Sequence, residues 1–148
     1  MILASHLLVG AAIAVKVNNI AFAIPLAFLS HYILDSFPHQ EYLIKNIKER
    51  NWSKSFFDFS KIILDFLTGV FLIVFFSNNY FLAFLGGIFA ILPDGLIFLQ
   101  LIIPNKLLKI HFSFHEKFHF LRNKKNPLMT ALGVFFQSAF IIISLLFL

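Results

Sequence analysis

Residues 127–148 read PLMTALGVFFQSAFIIISLLFL, and this stretch decides the class of the protein. It holds no charged side chain, and its few polar residues are Thr, Gln and Ser. A helix needs about 20 apolar residues to cross the hydrocarbon layer of a bilayer. Pro127 suits the first turn of such a helix, where its missing N–H costs nothing. We therefore predict a transmembrane helix over Pro127–Leu148.

The composition extends this prediction to the whole chain. Of its 148 residues, 59% are hydrophobic and 13% are charged, whereas soluble domains are about 25% charged. A soluble domain of this size cannot bury so much apolar surface in one core. The composition thus excludes a soluble globular enzyme, a disordered chain and a coiled coil, and we interpret residues 1–148 as a single membrane domain. The chain has no cysteine, which excludes disulfide scaffolds and iron–sulfur clusters.

Short polar stretches divide the chain into five apolar segments, which we predict to be helices. They are Ile2–Val15, Ile20–Leu34, Ile62–Phe76, Tyr80–Ile103 and Pro127–Leu148. The first two are barely long enough to cross, so we expect a short hairpin, tilted or partly re-entrant. A signal peptide is the alternative for the first segment, but no basic region precedes it and it contains His6. The predicted fold class is an all-α integral membrane protein, with about five transmembrane or partly re-entrant helices and one cytoplasmic amphipathic helix.

The lysine and arginine residues predict the orientation. They concentrate between segments two and three and between segments four and five, whereas the turn at residues 77–79 has none and the first turn has only Lys16. With five crossings both basic loops lie on one side, and the positive-inside rule makes that side cytoplasmic. We predict a multi-pass protein of the inner (plasma) membrane with its N-terminus and long loops in the cytoplasm. The net charge of +5 indicates this orientation rather than nucleic-acid binding.

The sharpest motif is His31-Tyr-Ile-Leu-Asp35-Ser-Phe-Pro38-His39. His31 and Asp35 share a helix face because they are four residues apart. Pro38 disfavours helix at the residue before it, so the chain turns there and can bring His39 back toward that face. Imidazole, carboxylate and imidazole form a ligand set for zinc or another transition metal. The alternative is a polar helix end that is solvated among the lipid headgroups.

Asp65 and Asp94 lie inside predicted membrane segments. An ionised carboxylate there is costly unless it faces a partner or a wet cavity, and we expect a cation shared with the histidines to satisfy both. The stretch Leu92-Pro93-Asp94-Gly95 predicts a helix break that opens space around the carboxylate. The alternative is a structural Asp bonded to Ser or Thr hydroxyls. Asp58, seven residues before Asp65, is expected to be solvated in the loop.

Three more histidines recur at every fourth residue of Lys106–Leu121, a segment with the pattern of a basic amphipathic helix: His111, His115 and His119. Histidines at i and i+4 can bind one metal ion. The alternative is an interfacial helix that meets anionic lipid. His6 lies near the same predicted membrane face, and Gln137 is expected either to orient a ligand or to bond another helix.

These blocks resemble the small membrane-bound metal-dependent hydrolases of bacteria and archaea. The similar parts are Ser5-His6-Leu-Leu-Val-Gly-Ala-Ala-Ile, Ser30-His31-x-x-x-Asp35-x-x-Pro38-His39, Leu92-Pro93-Asp94 and a late His-rich stretch before a Gln-containing helix. That family usually has Leu-Pro-Asp-x-Asp, whose second Asp is absent here. The His-x-x-x-Asp block followed by another His is also similar to zinc-dependent phospholipases C and related nucleases, an all-α family that holds a zinc cluster. The resemblance implies metal binding and, from the second family, phosphoester hydrolysis.

The leading hypothesis is a membrane-embedded metal-dependent hydrolase that acts on a phosphoester or lipid-like substrate at the cytoplasmic face. The predicted ligands of a divalent metal, zinc before others, are His6, His31, Asp35, His39, Asp94, His115 and His119. Asp65 and His6 are the candidate catalytic residues. The expected partners are membrane lipids, an anionic lipid or phosphoester substrate, and a second copy of the chain. The alternatives are a non-enzymatic metal- or proton-conducting or metal-binding protein, and a structural protein whose histidines are incidental.

Overall fold

The computed structural model describes residues 1–119 and 127–148. In those residues the chain forms seven α-helices and two short 3-10 turns, and no strand. The helices are α1 (Leu3–Val17), α2 (Ile20–Asp35), α3 (Lys45–Lys48), α4 (Phe56–Phe76), α5 (Tyr80–Ile102), α6 (Lys106–His115) and α7 (Pro127–Phe147). The 3-10 turns span Trp52–Lys54 and Glu116–Phe118. The predicted all-α class is confirmed for this part of the chain.

Three helices are long and apolar enough to cross a membrane. α4, α5 and α7 have 21, 23 and 21 residues, and each contains an 18-residue stretch with a mean hydropathy of 2.1. At 1.5 Å per residue they span about 32 to 35 Å, which matches a hydrocarbon layer of about 30 Å. α1 and α2 are also apolar but have 15 and 16 residues, which gives only about 23 Å. The long helices support a membrane protein, and the count of five spans stays a prediction.

The exposed surface of the bundle is apolar. Phe71 and Phe75 of α4 and Leu146 of α7 are 64%, 71% and 78% exposed. In water an apolar surface of this kind promotes association, whereas lipid chains solvate it well. Several polar side chains are buried instead, among them His6, His31, Asp35, His115 and Gln137. The chain thus places polar groups inside and apolar groups outside, as expected for a protein surrounded by lipid.

α1 is the central helix and packs against α2, α4, α5 and α7. Small residues let α1 and α5 approach closely, since a Cβ atom on Gly10 would lie less than 3 Å from Ala90 and from the Gly86 carbonyl. The buried core beside this crossing consists of Leu7, Leu8, Ala11, Ile73 and Ala83. Close backbone approach at small residues is the usual way in which helices pack in lipid. It also brings the first turns of α1 against the other helices that carry the candidate site.

The predicted helix break at Pro93 is wrong, because α5 continues through Pro93 to Ile102. Proline removes one N–H from the hydrogen-bond ladder of a helix. A membrane helix tolerates this loss where neighbouring groups supply other hydrogen bonds. One turn before Pro93, the carbonyl of Ala90 lies 2.8 Å from the Nδ1 atom of His31 on α2. A side chain from another helix therefore bonds to α5 in the turn that proline weakens.

The expectation that Asp58 is solvated in a loop is also wrong. α4 begins at Phe56, six residues before the predicted start, so Asp58 lies in its first turn and is 4% exposed. Its carboxylate accepts the backbone N–H groups of Asn46 at 2.9 Å and Ile47 at 3.4 Å. These N–H groups have no partner within the short helix α3. The buried carboxylate on α4 therefore accepts hydrogen bonds from the first turn of α3.

The predicted amphipathic helix Lys106–Leu121 is shorter than expected. α6 ends at His115, and the 3-10 turn Glu116–Phe118 follows it. Three basic residues that contributed to the orientation prediction lie outside the described residues, namely Arg122, Lys124 and Lys125. His119 therefore lies just after the 3-10 turn and not in α6.

The α1–α5 crossing gives a stability prediction. Gly10→Ala would force a methyl group against Ala90 and the Gly86 carbonyl, and overpacking of this kind typically costs about 1–3 kcal/mol. We expect a lower midpoint of thermal unfolding in detergent. The matched control is Gly95→Ala, since a Cβ atom there meets nothing within 4 Å. It should leave the midpoint unchanged or raise it, and equal midpoints for the two variants would contradict the crossing.

Candidate metal centre

Asp35 is the last residue of α2, and its side chain is fully buried. Imidazole nitrogens surround its carboxylate. Near Oδ2 lie the Nε2 atoms of His31 at 3.2 Å, His115 at 3.2 Å and His119 at 3.4 Å. Near Oδ1 lie the Nε2 atoms of His6 at 3.2 Å and His39 at 3.9 Å, and the backbone nitrogen of Met1 donates to this oxygen at 2.7 Å.

We call this set the Asp35 cluster; it comprises His6, His31, Asp35, His39, Asp94, His115 and His119. The sequence predicted these seven residues as metal ligands, and the fold brings all of them to one place. They come from α1, α2, the segment after α2, α5, α6 and the residue after the second 3-10 turn. As predicted, the chain turns after Asp35 and directs His39 back toward the carboxylate.

Backbone carbonyls orient two of the histidines. The Nδ1 atom of His31 lies 2.8 Å from the Ala90 carbonyl, and that of His39 lies 2.8 Å from the Phe37 carbonyl. A carbonyl can only accept a hydrogen bond, so each Nδ1 carries the proton. The lone pair of each ring then lies on Nε2, which faces the cluster. Histidines that bind metals are held in the same way, with the second ring nitrogen donating to a carbonyl or carboxylate.

His31, His115 and His119 form a chain of hydrogen-bonded imidazoles. The Nε2 atom of His31 lies 2.8 Å from Nε2 of His115, and Nδ1 of His115 lies 3.2 Å from Nε2 of His119. Because the lone pair of His31 is on Nε2, His115 donates to it in the metal-free protein, and His119 donates to His115. His119 follows the 3-10 turn after α6 and contacts both His115 and Asp35.

Asp94 of α5 contributes a second carboxylate. Its Oδ1 atom lies 3.7 Å from the Nε2 atoms of both His31 and His115, and its side chain is 28% exposed. The ligand atoms of His31, Asp35, Asp94 and His115 all lie within 4.8 Å of one another. Asp94 is therefore the most accessible of the four ligands, and the other three are buried.

The buried polar atoms of the cluster fit a metal ion. Asp35 Oδ2, His39 Nε2, His119 Nδ1 and both ring nitrogens of His6 are buried without a hydrogen-bond partner. Asp35 forms an ion pair with the amino group of Met1 at 2.7 Å, and within the described residues no Lys or Arg pairs with it. Unpaired buried polar atoms are costly, and nitrogen and carboxylate oxygen are both ligands of zinc and related ions. Two nitrogens on one tetrahedral zinc stand about 3.3 Å apart, so His31 and His115 need to separate by about half an ångström.

Asp65 and His6, the candidate catalytic residues, occupy different surroundings. The ring of His6 stacks on that of His31 with centroids 4.1 Å apart, inside the cluster. Asp65 accepts a hydrogen bond from the Ala4 backbone at 2.9 Å and another from the Tyr42 hydroxyl. The sequence predicts a cation beside this carboxylate, whereas two hydrogen-bond donors already satisfy it. In the described part of the chain, Asp65 belongs to none of the groups that could share one ion.

Two contacts were not anticipated from the sequence. Oε1 of Glu41 lies 3.5 Å from His39 Nε2 and 3.5 Å from His119 Nδ1. The available signal was its position two residues after His39 in a non-helical segment. His111 lies 3.1 Å from the Tyr32 hydroxyl and belongs to none of the candidate ion-binding groups of the described residues.

α7 positions His39. The buried side chain of Gln137 donates to the Gln40 carbonyl at 3.0 Å and accepts the Gln40 N–H at 3.1 Å. A Cβ atom on Gly133 would lie 3.1 Å from the backbone of His39. Gln137 therefore orients a candidate ligand through the backbone of the next residue, which is one of the two roles expected for it.

The surroundings of His119 predict how stability depends on pH. Burial lowers the pKa of His119 to about 4, whereas an unfolded histidine has a pKa of about 6.5. Between these values the unfolded chain binds more protons, so the free energy of unfolding falls as the pH falls. We expect the midpoint of thermal unfolding of the metal-free protein to drop between pH 7 and pH 5. The drop should be smaller for His119→Gln, and an equal drop would contradict the burial.

Comparisons of the chain with protein-family models, with curated proteins and with solved structures found no match. The resemblance to membrane-bound hydrolases therefore rests on the sequence blocks quoted above.

Proposed function

We propose that the protein is a membrane-embedded metal-dependent hydrolase that acts on a phosphoester or lipid-like substrate. The observation that carries this proposal is the group His31, Asp35, Asp94 and His115, whose ligand atoms lie within 4.8 Å of one another. Three of these side chains are buried and one is partly exposed. Zinc is the best candidate, because imidazole nitrogen and carboxylate oxygen are among its usual ligands, and a tetrahedral ion held by three of these four side chains would keep its fourth position open.

In this proposal some side chains bind the ion, and others bind the substrate or transfer a proton. When bound, a divalent ion supplies Lewis acidity toward a phosphoryl or acyl oxygen. The substrate approaches on the side of Asp94, the most exposed ligand of this group. His6 is the proposed base, because its ring is held against His31 and both of its nitrogens lack a hydrogen-bond partner. A neutral imidazole in this position can accept a proton.

Asp65 acts in this proposal through the groups that it holds. Its carboxylate joins α4 to the first turn of α1 and to the Tyr42 hydroxyl. α1 carries His6, and Tyr42 follows Glu41, which contacts His39 and His119. The catalytic importance predicted for Asp65 is thus a positioning role at two sides of the cluster.

The proposed substrate side is the cytoplasmic face. α6 carries His115, and it also carries exposed Lys106 and Lys109. Exposed apolar residues of the same helix include Leu107 at 74% and Ile110 at 58%. A basic helix with an apolar face lies at the membrane surface and attracts anionic lipid headgroups. An anionic lipid is therefore a suitable substrate or neighbour.

A proton or metal conductor is the second candidate, and the imidazole contacts favour it in part. His119, His115 and His31 form a chain along which protons can move. The chain ends, however, at the Ala90 carbonyl. The described core at the neighbouring crossing is apolar, with Leu7, Leu8, Ala11 and Ala83. We therefore favour a hydrolase, whose site needs to be open to one side of the membrane only, over a conductor.

Metal content and hydrolysis test the proposal together. We expect purified wild-type protein to contain metal and to hydrolyse a chromogenic aryl phosphodiester or a short-chain phospholipid. His115→Gln should reduce the metal content and lower the rate at least about 100-fold, since it removes a ligand. His111→Gln is the matched control on the same helix and should change neither. Absence of metal after reconstitution with zinc, manganese or magnesium would overturn the proposal, and bound metal without hydrolysis would favour a metal-binding protein.

Cysteine labelling tests the proposed topology, because the native chain has no cysteine. The five-span arrangement places exposed Lys48 and Lys109 on one face of the membrane and exposed Asn78 on the other. A membrane-impermeant thiol reagent applied to intact cells should label Asn78→Cys only, and the other two should react after permeabilisation. Opposite labelling of positions 48 and 109 would contradict the arrangement.

A further inference from the structure

We infer that a groove between α1 and α7 binds an anionic phospholipid, with one acyl chain in the groove and the lipid phosphate at Lys16. The groove has a volume of about 420 Å³, within the usual range of about 300–1,000 Å³ for small-molecule sites. We call it the α1–α7 groove; its walls include Val9, Ile13, Lys16, Phe140, Ile143 and Phe147. No member of the Asp35 cluster is among the described residues that line it, so the inference is independent of the proposed hydrolase activity.

The α1–α7 groove lies toward the C-terminal ends of both helices. The Nζ atom of Lys16 lies 5.3 Å from the centre of the Phe147 ring, so these two ends meet. Val9 and Phe140 line the groove seven residues earlier on each helix, which is about 10 Å along the helix axes. His6 of the Asp35 cluster is ten residues before Lys16, or about 15 Å along α1. The groove is therefore a separate site.

The walls of the groove suit a hydrocarbon chain better than a polar ligand. Ser144 carries the single hydroxyl group among the described lining residues, and this group donates to the Phe140 carbonyl at 2.7 Å. An ordered water molecule needs several polar partners, and the remaining walls are apolar up to Lys16. Ile143 and Phe147 are 49% and 48% exposed, so the groove is open to the outside of the bundle. An acyl chain outside the bundle can therefore enter it.

The size of the groove distinguishes an acyl chain from a helix of a second copy. A helix is at least about 10 Å in diameter, so 10 Å of its length takes up about 800 Å³. That is roughly twice the volume of the groove. A helix could cover the groove but could not fill it. An extended acyl chain is much thinner, and it lies along the helix axes, which is the direction of the groove.

Lys16 gives one end of the groove a positive charge. Its side chain is exposed, and the attraction of an exposed ammonium group to a phenyl ring is weak. In the described part of the chain Lys16 forms no ion pair, and no Asp or Glu lines the groove. A lysine near the end of a membrane helix extends toward the headgroup layer, where the lipid phosphates lie. The ammonium group and the apolar walls thus match the two parts of an anionic phospholipid.

Native mass spectrometry of the full chain in detergent tests the role of Lys16. The probes are dioleoyl phosphatidylglycerol and dioleoyl phosphatidylcholine, which share their acyl chains and differ in net charge. We expect Lys16→Gln to bind phosphatidylglycerol about fivefold more weakly than the wild type, since one lysine near a membrane surface has about this effect. Its binding of phosphatidylcholine should not change, and Lys16→Arg should keep both affinities.

The charge control is Lys54→Gln, which removes an exposed lysine from the turn Trp52–Lys54. This variant should change neither affinity. Equal losses of phosphatidylglycerol binding in Lys16→Gln and Lys54→Gln would show an effect of net charge alone and would overturn the inference.

Blocking the groove gives a second test. Ile143→Trp places a large side chain in the groove and should weaken binding of both lipids at least about tenfold, the effect of losing about two buried CH₂ groups. The matched control is Ile142→Trp, because Ile142 is 60% exposed and is not among the lining residues. The midpoint of thermal unfolding without lipid shows which variants fold, and the two Trp variants decide if Lys16→Gln does not.

Two results of this second test would contradict the inference. Equal lipid binding by the two Trp variants would place the lipid outside the groove, even if binding depends on Lys16. A dimer of the wild type that is lost in Ile143→Trp and kept in Ile142→Trp would assign the groove to a second copy of the chain.

Discussion

The buried carboxylate of Asp35 is the constraint on which the rest of the structure depends. A carboxylate in an apolar bundle cannot stay ionised without positive charge or hydrogen-bond donors close by. Five imidazoles and one backbone nitrogen approach it, from α1, α2, α6 and the segments that follow α2 and α6. Any movement that separates these elements leaves the carboxylate less well paired. The packing of the bundle therefore determines how well the Asp35 carboxylate is paired.

Lipid changes which contacts can hold such a bundle together. Apolar contact between helices gains little in a bilayer, because lipid chains are as apolar as leucine. Close backbone approach at Gly10 and Gly86 and polar contacts inside the bundle take its place. The hydrogen bonds of Asp65 with Ala4 and of Gln137 with Gln40 are examples. Each also holds an element that carries a ligand, so the residues that stabilise the fold also position the site.

The wrong expectations share one physical cause. Pro93 was expected to break a helix and Asp58 to be solvated, because each was judged by its neighbours in sequence alone. In both cases a distant part of the chain contacts the residue or the turn beside it, which its sequence neighbours do not reveal. His31 bonds to α5 in the turn before Pro93, and the N–H groups that begin α3 bond to Asp58. Asp65 is similar, since Tyr42 and the start of α1 supply hydrogen-bond donors where the sequence predicts a cation.

The sequence by itself determined the features that depend on composition and short spacing. Few charges and long apolar runs favour helices that can span a membrane. The four-residue spacing of His31 and Asp35, with Pro38 after them, directs His39 back toward the carboxylate. Only the tertiary structure decided which distant groups contact His31, Asp35 and His39. His115 contacts His31 across 84 residues of sequence, and Gln137 holds the residue after His39 across 97. Helical spacing defines which residues share a face but not which other helix that face meets, because that depends on how the small residues of α1 and α5 let the backbones approach.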